Sequence, residues 1–483
     1  MENSGVPGAG IQNATSSGDA ELPEEAERYV AAVDLPVPIE QAFAYHERPG
    51  CLNRLIPPWE SAHVEHSDHS LAVGSRVVLK TKVGGVPLRW HARHTVYDPP
   101  NHFEDVQDSG PFAAWVHRHQ FCKTSDTSSR LTDEIRYVLP GGAAGDFLGG
   151  GKARRTIEAM FAYRHRVTLD DLSLMARYPS KPLTIAVSGA NGLVGSSLSN
   201  LLQLLGHRVL SITRGALGTQ DSIAAWSDEG QFERFNEVDV VVHLAGKPIA
   251  GGRWNESVKQ QIRDSRVEKT RSLCERLARL SNPPSTLVCA SATGMYGNRS
   301  DEILNEQSQP GDDFLADVCQ EWEAACDPAE RAGIRVVHTR FGLILSPKDG
   351  ALSKMLTPAK LMGGSLGDGS QYWSWIALDD VVGAIVHCIV REGMAGPVNF
   401  VSPTPMSNRE FARTLGEVLG RPAVFPAPAF ALRLALGEMA DALLLASTRV
   451  IPEKLLSTDY EFRFSSLPEV LRYSLGLERL PSQ

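Results

Sequence analysis

The sequence contains no C-x-x-C pair, and its seven cysteines are scattered over 483 residues. A disulfide framework, a zinc ribbon and a thioredoxin-like redox motif are thereby excluded, and the thiols read as reduced, in a cytoplasmic protein. Positive charge is in deficit: 48 Lys and Arg face 57 Asp and Glu, a net charge of −9, so nucleic acid is not an expected partner. The first basic residue is Arg28, so residues 1–27 lack both the basic start of a secretory signal and the arginines of a transit peptide. This Gly/Ser/Ala/Glu-rich stretch reads as a disordered tail. Long apolar runs are scarce. Pro182–Gly206 passes 25 positions without a charge, but Ser188-Gly-Ala-Asn-Gly192 interrupts it, which fits strand, turn and helix better than a membrane span. Pro422–Ser447 is broken by Arg433, Glu438 and Asp441 and reads as amphipathic helix.

What is present divides the chain. At 22% charged and 42% hydrophobic residues the composition is globular, and the length allows roughly three domains of about 150 residues. Residues 28–172 balance 17 basic against 17 acidic side chains. Runs of β character, Arg28–Leu35, Arg76–Val83, Leu88–Tyr97, Trp115–Lys123 and Ser129–Tyr137, alternate there with Pro and Gly turns. A helix is expected after Pro38 and a longer one over Ala153–Ala176, an α+β layout. Beyond Leu183, the strands Thr184–Ser188, Arg208–Thr213, Val238–Leu244, Thr286–Ala290 and Arg335–Phe341 alternate with helical stretches, which predicts an α/β doubly wound parallel sheet of Rossmann type. The expected division is a tail at 1–27, an α+β unit at 28–172, a linker at 173–182, the doubly wound unit at 183–400 and a smaller lobe at 401–483.

The strand Ile185–Ser188 runs into Gly189-x-x-Gly192-x-x-Gly195 and then into a helix. The first glycine permits the tight turn, the second lets backbone approach a pyrophosphate, and the third lets helix pack on strand. The helix N-terminus presents free N–H groups to the phosphates. Gly189, Asn191, Gly192, Leu193, Val194 and Gly195 are therefore the expected cofactor loop. The next strand ends in Leu210-Ser-Ile-Thr-Arg214 with no acid before Asp221, so Arg214 suits a 2′-phosphate and the cofactor is expected to be NADP. The third strand ends in Leu244-Ala245-Gly246, small enough for the cofactor to pass close.

Further segments are distinctive: Leu244-Ala-Gly-Lys-Pro-Ile249 with Gly252-Arg-Trp254, Arg263-Asp-Ser-Arg266, Ser291-Ala-Thr-Gly-Met-Tyr-Gly297, Arg340-Phe-Gly-Leu-Ile-Leu345, Gln371-Tyr-Trp-Ser-Trp-Ile376, and Gly396-Pro-Val-Asn399 with Pro403-Thr-Pro405. With these, residues 183–480 resemble the extended short-chain dehydrogenase/reductases, specifically an epimerase-like subfamily of NADP-dependent oxidoreductases. Through Gly110-Pro-Phe-Ala-Ala-Trp-Val-His117, residues 28–172 resemble the START-like (SRPBCC) helix-grip superfamily, which implies a cup for an apolar ligand.

The resemblance also implies a Tyr-x-x-x-Lys pair, and here the sequence departs from it. Phe314 stands at the tyrosine position and Val318 at the lysine position, and neither exchanges a proton. The hydroxyl position falls on Ala292, between Ser291 and Thr293. The remaining catalytic candidates are Lys247, Ser291 and Tyr296, with Ser291 also a cofactor contact. Arg253 and Arg263 are candidates to hold an anionic substrate. Trp373 and Trp375 read either as an aromatic wall over the nicotinamide or as a core strand, and Asp379 and Asp380 as N-caps. His63-x-x-His66-x-x-His69 matches no zinc spacing and reads as a loop, so no metal is expected. His117 and His119, two apart on a strand, face one side and line a cavity. Relatives of this class pair through four helices, so the resemblance implies a homodimer, although the pairing helix is the one altered here. Two functional readings stay open: an NADP-dependent oxidoreductase or epimerase acting on a small molecule, and a non-catalytic NADP-binding sensor.

Overall fold

The computed structural model describes residues 26–213, 215, 220–226 and 229–478. The tail expected at 1–27 lies outside them up to residue 25, and the first strand begins at Glu27.

The N-terminal unit is one antiparallel sheet gripped by a long helix. Its strands are β1 (Glu27–Leu35), β2 (His63–Ser67), β3 (Arg76–Val83), β4 (Val86–Asp98), β5 (His102–Ser109), β6 (Ala114–Lys123) and β7 (Ser129–Val138), in the order β1-β7-β6-β5-β4-β3-β2. Helices α1 (Ile39–Glu47) and α2 (Cys51–Arg54) follow β1, and α3 (Gly142–Arg177) closes the unit. In β7 the alternation is plain: Ser129, Leu131, Asp133, Ile135 and Tyr137 point inward and are buried. Two strands differ from the sequence reading. The histidine-rich stretch taken for a loop is strand β2, held by β3. β5 has too many polar residues to read as a strand alone, and its place comes from pairing with β4 and β6. Helix α3 starts earlier than expected and persists through Arg177, into the stretch read as linker.

The second unit is a doubly wound sheet. Its first strands are β8 (Thr184–Ser188), β9 (Arg208–Ile212), β10 (Ser222–Ile223), β11 (Val240–His243) and β12 (Thr286–Ala292). The order is β10-β9-β8-β11-β12, then Arg335–Phe341 and Gly396–Phe400, all parallel. The strands are continuous apolar runs because both faces are covered. Ile185 and Val187 of β8 join the core under helix α4 (Leu193–Leu204) and helix Leu378–Val390. Ala186 faces the opposite core with Leu273, Leu277 and Trp322. Pro422–Ser447 is a short strand followed by short helices, not one amphipathic helix. Among the described residues, no helix is long and apolar enough to cross a membrane.

The two units share one hydrophobic core. Phe43, Phe121, Tyr163 and Leu172 of the first pack in one cluster with Trp375, Phe411, Phe464 and Tyr473 of the second. Buried charges cross the same seam. Arg54 holds Asp171 through Nε and Nη2 at 2.9 Å each and reaches Asp379 at 2.5 Å, while Arg463 Nη2 meets Asp171 at 2.9 Å. Asp379 is thus an ion-pair partner inside the first helical turn. Its neighbour Asp380 accepts from the backbone N–H groups of Arg463 and Phe464, so neither is an N-cap. Trp373 and Trp375 are buried in this core, which removes them from any wall over a cofactor.

Candidate functional site

The glycine loop lies where the sheet order reverses, between β8 and β11, the place at which open α/β sheets form a binding crevice. Gly189 has φ +69°, and a Cβ there would stand 3.1 Å from the Leu244 carbonyl carbon. Gly192 donates its N–H to the Gly189 carbonyl at 2.9 Å and opens α4 without a capping side chain. Gly195 sits beneath the same carbonyl, where a Cβ would come within 2.2 Å of its oxygen. Close packing therefore requires glycine at two of the three positions. Asn191 and Gly192 are exposed, with Leu193 and Val194 half-buried beside them. The first-turn N–H groups of α4, which have no partner within the helix, face this edge. Arg214 lies outside the described residues.

A buried hydroxyl ties the loop to β11. Ser188 Oγ accepts from the backbone N–H groups of Leu244 at 3.0 Å and Ala245 at 3.1 Å, and lies 2.7 Å from His243 Nδ1. With its lone pairs so used, the hydroxyl donates to Nδ1, and the proton of the neutral ring is on Nε2. Burial lowers the His243 pKa to about 4, which keeps the ring neutral. Leu244 and Ala245 thus pass directly beside the glycine loop, while Gly246 faces the Arg266 guanidinium. Sequence reasoning missed the Ser188–His243 pair, since a serine ending one strand and a histidine ending another carry no signal until the strands are paired.

The three catalytic candidates separate. Lys247 is half-buried just past Gly246; its backbone N–H meets Ser265 Oγ at 3.1 Å and its Nζ meets Gln261 Oε1. Ser291, at the end of β12, is buried and donates to Glu323 Oε1 at 2.7 Å. Glu323 is held in turn by Arg340, through Nε and Nη2 at 2.8 Å each. Arg340 Nη1 donates to the Tyr296 hydroxyl at 3.0 Å, and Tyr296 donates to Asn399 Oδ1 at 2.7 Å. Tyr296 is fully buried, and burial pushes its hydroxyl pKa up. The structure brings Ser291 and Tyr296 together as two ends of one polar network; Lys247 belongs to another. Glu323 and Arg340 were not expected, although Arg340 lies in a segment that carries the family resemblance.

The altered helix Phe314–Ala324 turns Val318 and Cys319 into the core. Burial pushes the Cys319 thiol up to about 12. Phe314 packs against Trp254, with ring centroids 5.5 Å apart, and under Lys259 Nζ. Arg263 pairs with Glu321, so it is not free for an anion in this arrangement. Arg253 lies against Gly437 of the lobe.

A Gly-x-x-Gly-x-x-Gly turn at the switch point of a doubly wound sheet defines a Rossmann-type dinucleotide-binding fold. Residues 185–399 match the NAD dependent epimerase/dehydratase family, residues 35–161 match the polyketide cyclase/dehydrase and lipid transport family, and residues 427–473 match a domain of unknown function. The epimerase family protein Mb2239 of Mycobacterium bovis is 38% identical over 293 residues, which span 60% of this chain and 97% of that protein. The chain belongs to the epimerase family. The crystal structure of the nucleoside-diphosphate sugar epimerase from Corynebacterium glutamicum is similar across both units, at 32% identity and TM-score 0.78, over 94% of this chain and 91% of that one. Human epimerase family protein SDR39U1 (isoform 2), whose structure was determined with NADPH, matches at 30% identity and TM-score 0.56, over 61% of this chain and 99% of that one.

Proposed function

We propose that this chain is an NADP(H)-dependent oxidoreductase or epimerase of the cytoplasm, acting on a small molecule at the carboxyl edge of its doubly wound sheet. The observation that carries this reading is the cradle at Gly189 and Gly195, where a Cβ would meet backbone at 3.1 and 2.2 Å. The NADPH in the human relative supports the choice of cofactor. The first turn of α4 would receive the pyrophosphate, Leu244–Gly246 would line the cofactor, and Arg214 would meet the 2′-phosphate. Bound there, NADP(H) would supply hydride transfer at its nicotinamide C4 to or from the substrate.

In place of the Tyr-x-x-x-Lys pair, Lys247 Nζ holds the proton that the substrate oxygen gains or loses. Ser291 and Tyr296 brace the floor of the site through Glu323 and Arg340. The N-terminal unit takes an apolar or amphipathic ligand, which its match to a lipid-transport family supports.

The test is NADPH oxidation against a panel of nucleoside-diphosphate sugars and simple carbonyl compounds. The expected result is substrate-dependent oxidation that falls at least about tenfold in Lys247→Met with NADPH affinity unchanged. Tight NADPH binding with no turnover anywhere in the panel would favour the sensor reading instead.

A further inference from the structure

The N-terminal sheet turns a polar set of side chains inward. Cross-strand pairing puts His94 on β4 opposite Asp105 on β5, and Asp105 opposite His117 on β6. Two residues along β6, His119 stands opposite Asp133 on β7. The period-two geometry of β6 points both histidines into the same interior. Helix α3 adds His165 from the other side, 2.5 Å from Asp133 Oδ2. Aromatic rings enclose the group: Phe103 stacks on His119 with centroids 4.1 Å apart, and Phe161 meets His117 edge-on at 5.1 Å.

The hydrogen bonds leave a gap. His117 Nε2 lies 3.0 Å from Asp133 Oδ1, and its Nδ1 therefore faces the other way, toward Asp105 Oδ2 at 3.4 Å. His119 Nδ1 stands 2.6 Å from Asp133 Oδ1 as an ion pair without hydrogen-bond geometry, and among the described residues neither it nor His94 Nδ1 has a hydrogen-bond partner. Unpartnered imidazole nitrogens buried beside carboxylates call for a cation or a proton between them.

We propose that Asp105, His117 and His119 bind one divalent first-row transition ion of the zinc class. One donor atom from each lies within 4.8 Å of the other two. The 3.4 Å between His117 Nδ1 and Asp105 Oδ2 is the edge expected between two ligands of a tetrahedral ion with bonds of about 2.0–2.1 Å. His117 Nε2–H then donates to Asp133, the carboxylate–histidine–metal arrangement that fixes ring orientation. Mixed imidazole and carboxylate donors select zinc, cobalt or iron over magnesium and calcium. The Asp105 and His119 side chains are 19% and 12% exposed, against 4% for His117, so solvent reaches the cluster from their side. This site is independent of the dinucleotide edge, and its ligands come from separate strands, so no sequence spacing announces it.

The experiment strips the purified full chain with a chelator and titrates it with Zn²⁺, with Co²⁺ as the spectroscopic probe. One ion per chain is expected, with visible d–d absorption from bound Co²⁺. Asp133→Asn should weaken Zn²⁺ binding by about 10–100-fold, and Asp105→Asn and His119→Gln at least as much. His66→Ala on exposed β2 should leave it unchanged. Circular dichroism and thermal melts identify any variant that fails to fold, and the wild-type titration decides without them. Absence of stoichiometric Zn²⁺ or Co²⁺ binding by the folded wild-type chain overturns the proposal. So does binding that survives in folded Asp105→Asn and His119→Gln.

Discussion

Gly195 lies so close beneath the carbonyl of Gly189 that a Cβ would stand 2.2 Å from its oxygen. Gly195→Ala must therefore push the start of α4 away from β8 and displace the N–H groups proposed to meet the pyrophosphate. The expected result is NADPH binding weakened at least about tenfold, read by nicotinamide fluorescence. Gly151→Ala in α3, where the nearest atom to a new Cβ is 3.8 Å away, serves as the control and should not alter it.

His243 makes the stability of this edge depend on pH. Burial holds its pKa at about 4 in the fold, against about 6.5 in the unfolded chain. The unfolded ring binds the proton first, so the stabilisation is complete above pH 6.5 and is lost as pH falls toward 4, on the order of 3 kcal/mol in all. His243→Asn, whose Oδ1 can accept the Ser188 hydroxyl, should flatten that part of the curve. Urea midpoints at pH 7.5 and pH 5 measure it, and an equal loss in both proteins would count against the assignment.

The seam between the units rests on Arg54. Removing one member of a buried ion network leaves the others uncompensated, so Arg54→Met should cost about 3–5 kcal/mol in denaturant unfolding. Arg130 pairs with Asp34 in the open, both side chains more than half exposed. Arg130→Ala should cost less than about 1 kcal/mol. Similar losses in the two variants would contradict the buried role of Arg54.

Tyr296 and Lys247 should separate in kinetics. Tyr296→Phe takes a hydroxyl from between Arg340 and Asn399, so about 1–3 kcal/mol of stability should go. NADPH oxidation by the variant should stay within about threefold of wild type. Lys247→Met should show the reverse pattern. A larger kinetic loss in Tyr296→Phe would return the tyrosine to the chemistry.

What was legible in the sequence follows from the range of the interactions. β8, β3 and Arg335–Phe341 match their expected limits, because each is an apolar or alternating run bounded by turn residues. The glycine loop was legible because its constraint is local: a tight turn, a near backbone and a helix start within seven residues. His117 and His119 were recognised as sharing a face. Their partners Asp105 and Asp133 were not, because strand register is a tertiary property. β2 and β5 stayed hidden since their polar residues gain strand structure only from neighbours. Asp379 and Asp380 looked like caps because two acids precede an apolar run. Their roles come from Arg54 and Arg463, each more than 80 residues away.

The central claim is NADP binding at the Gly189–Gly195 cradle, and its most direct measurement is a fluorescence titration of the purified chain with NADPH and NADH, repeated with Arg214→Glu. The account predicts micromolar NADPH binding, NADH at least about tenfold weaker, and the difference abolished in the variant. Binding of neither cofactor would contradict it, and equal binding of both by the wild type would contradict the role given to Arg214.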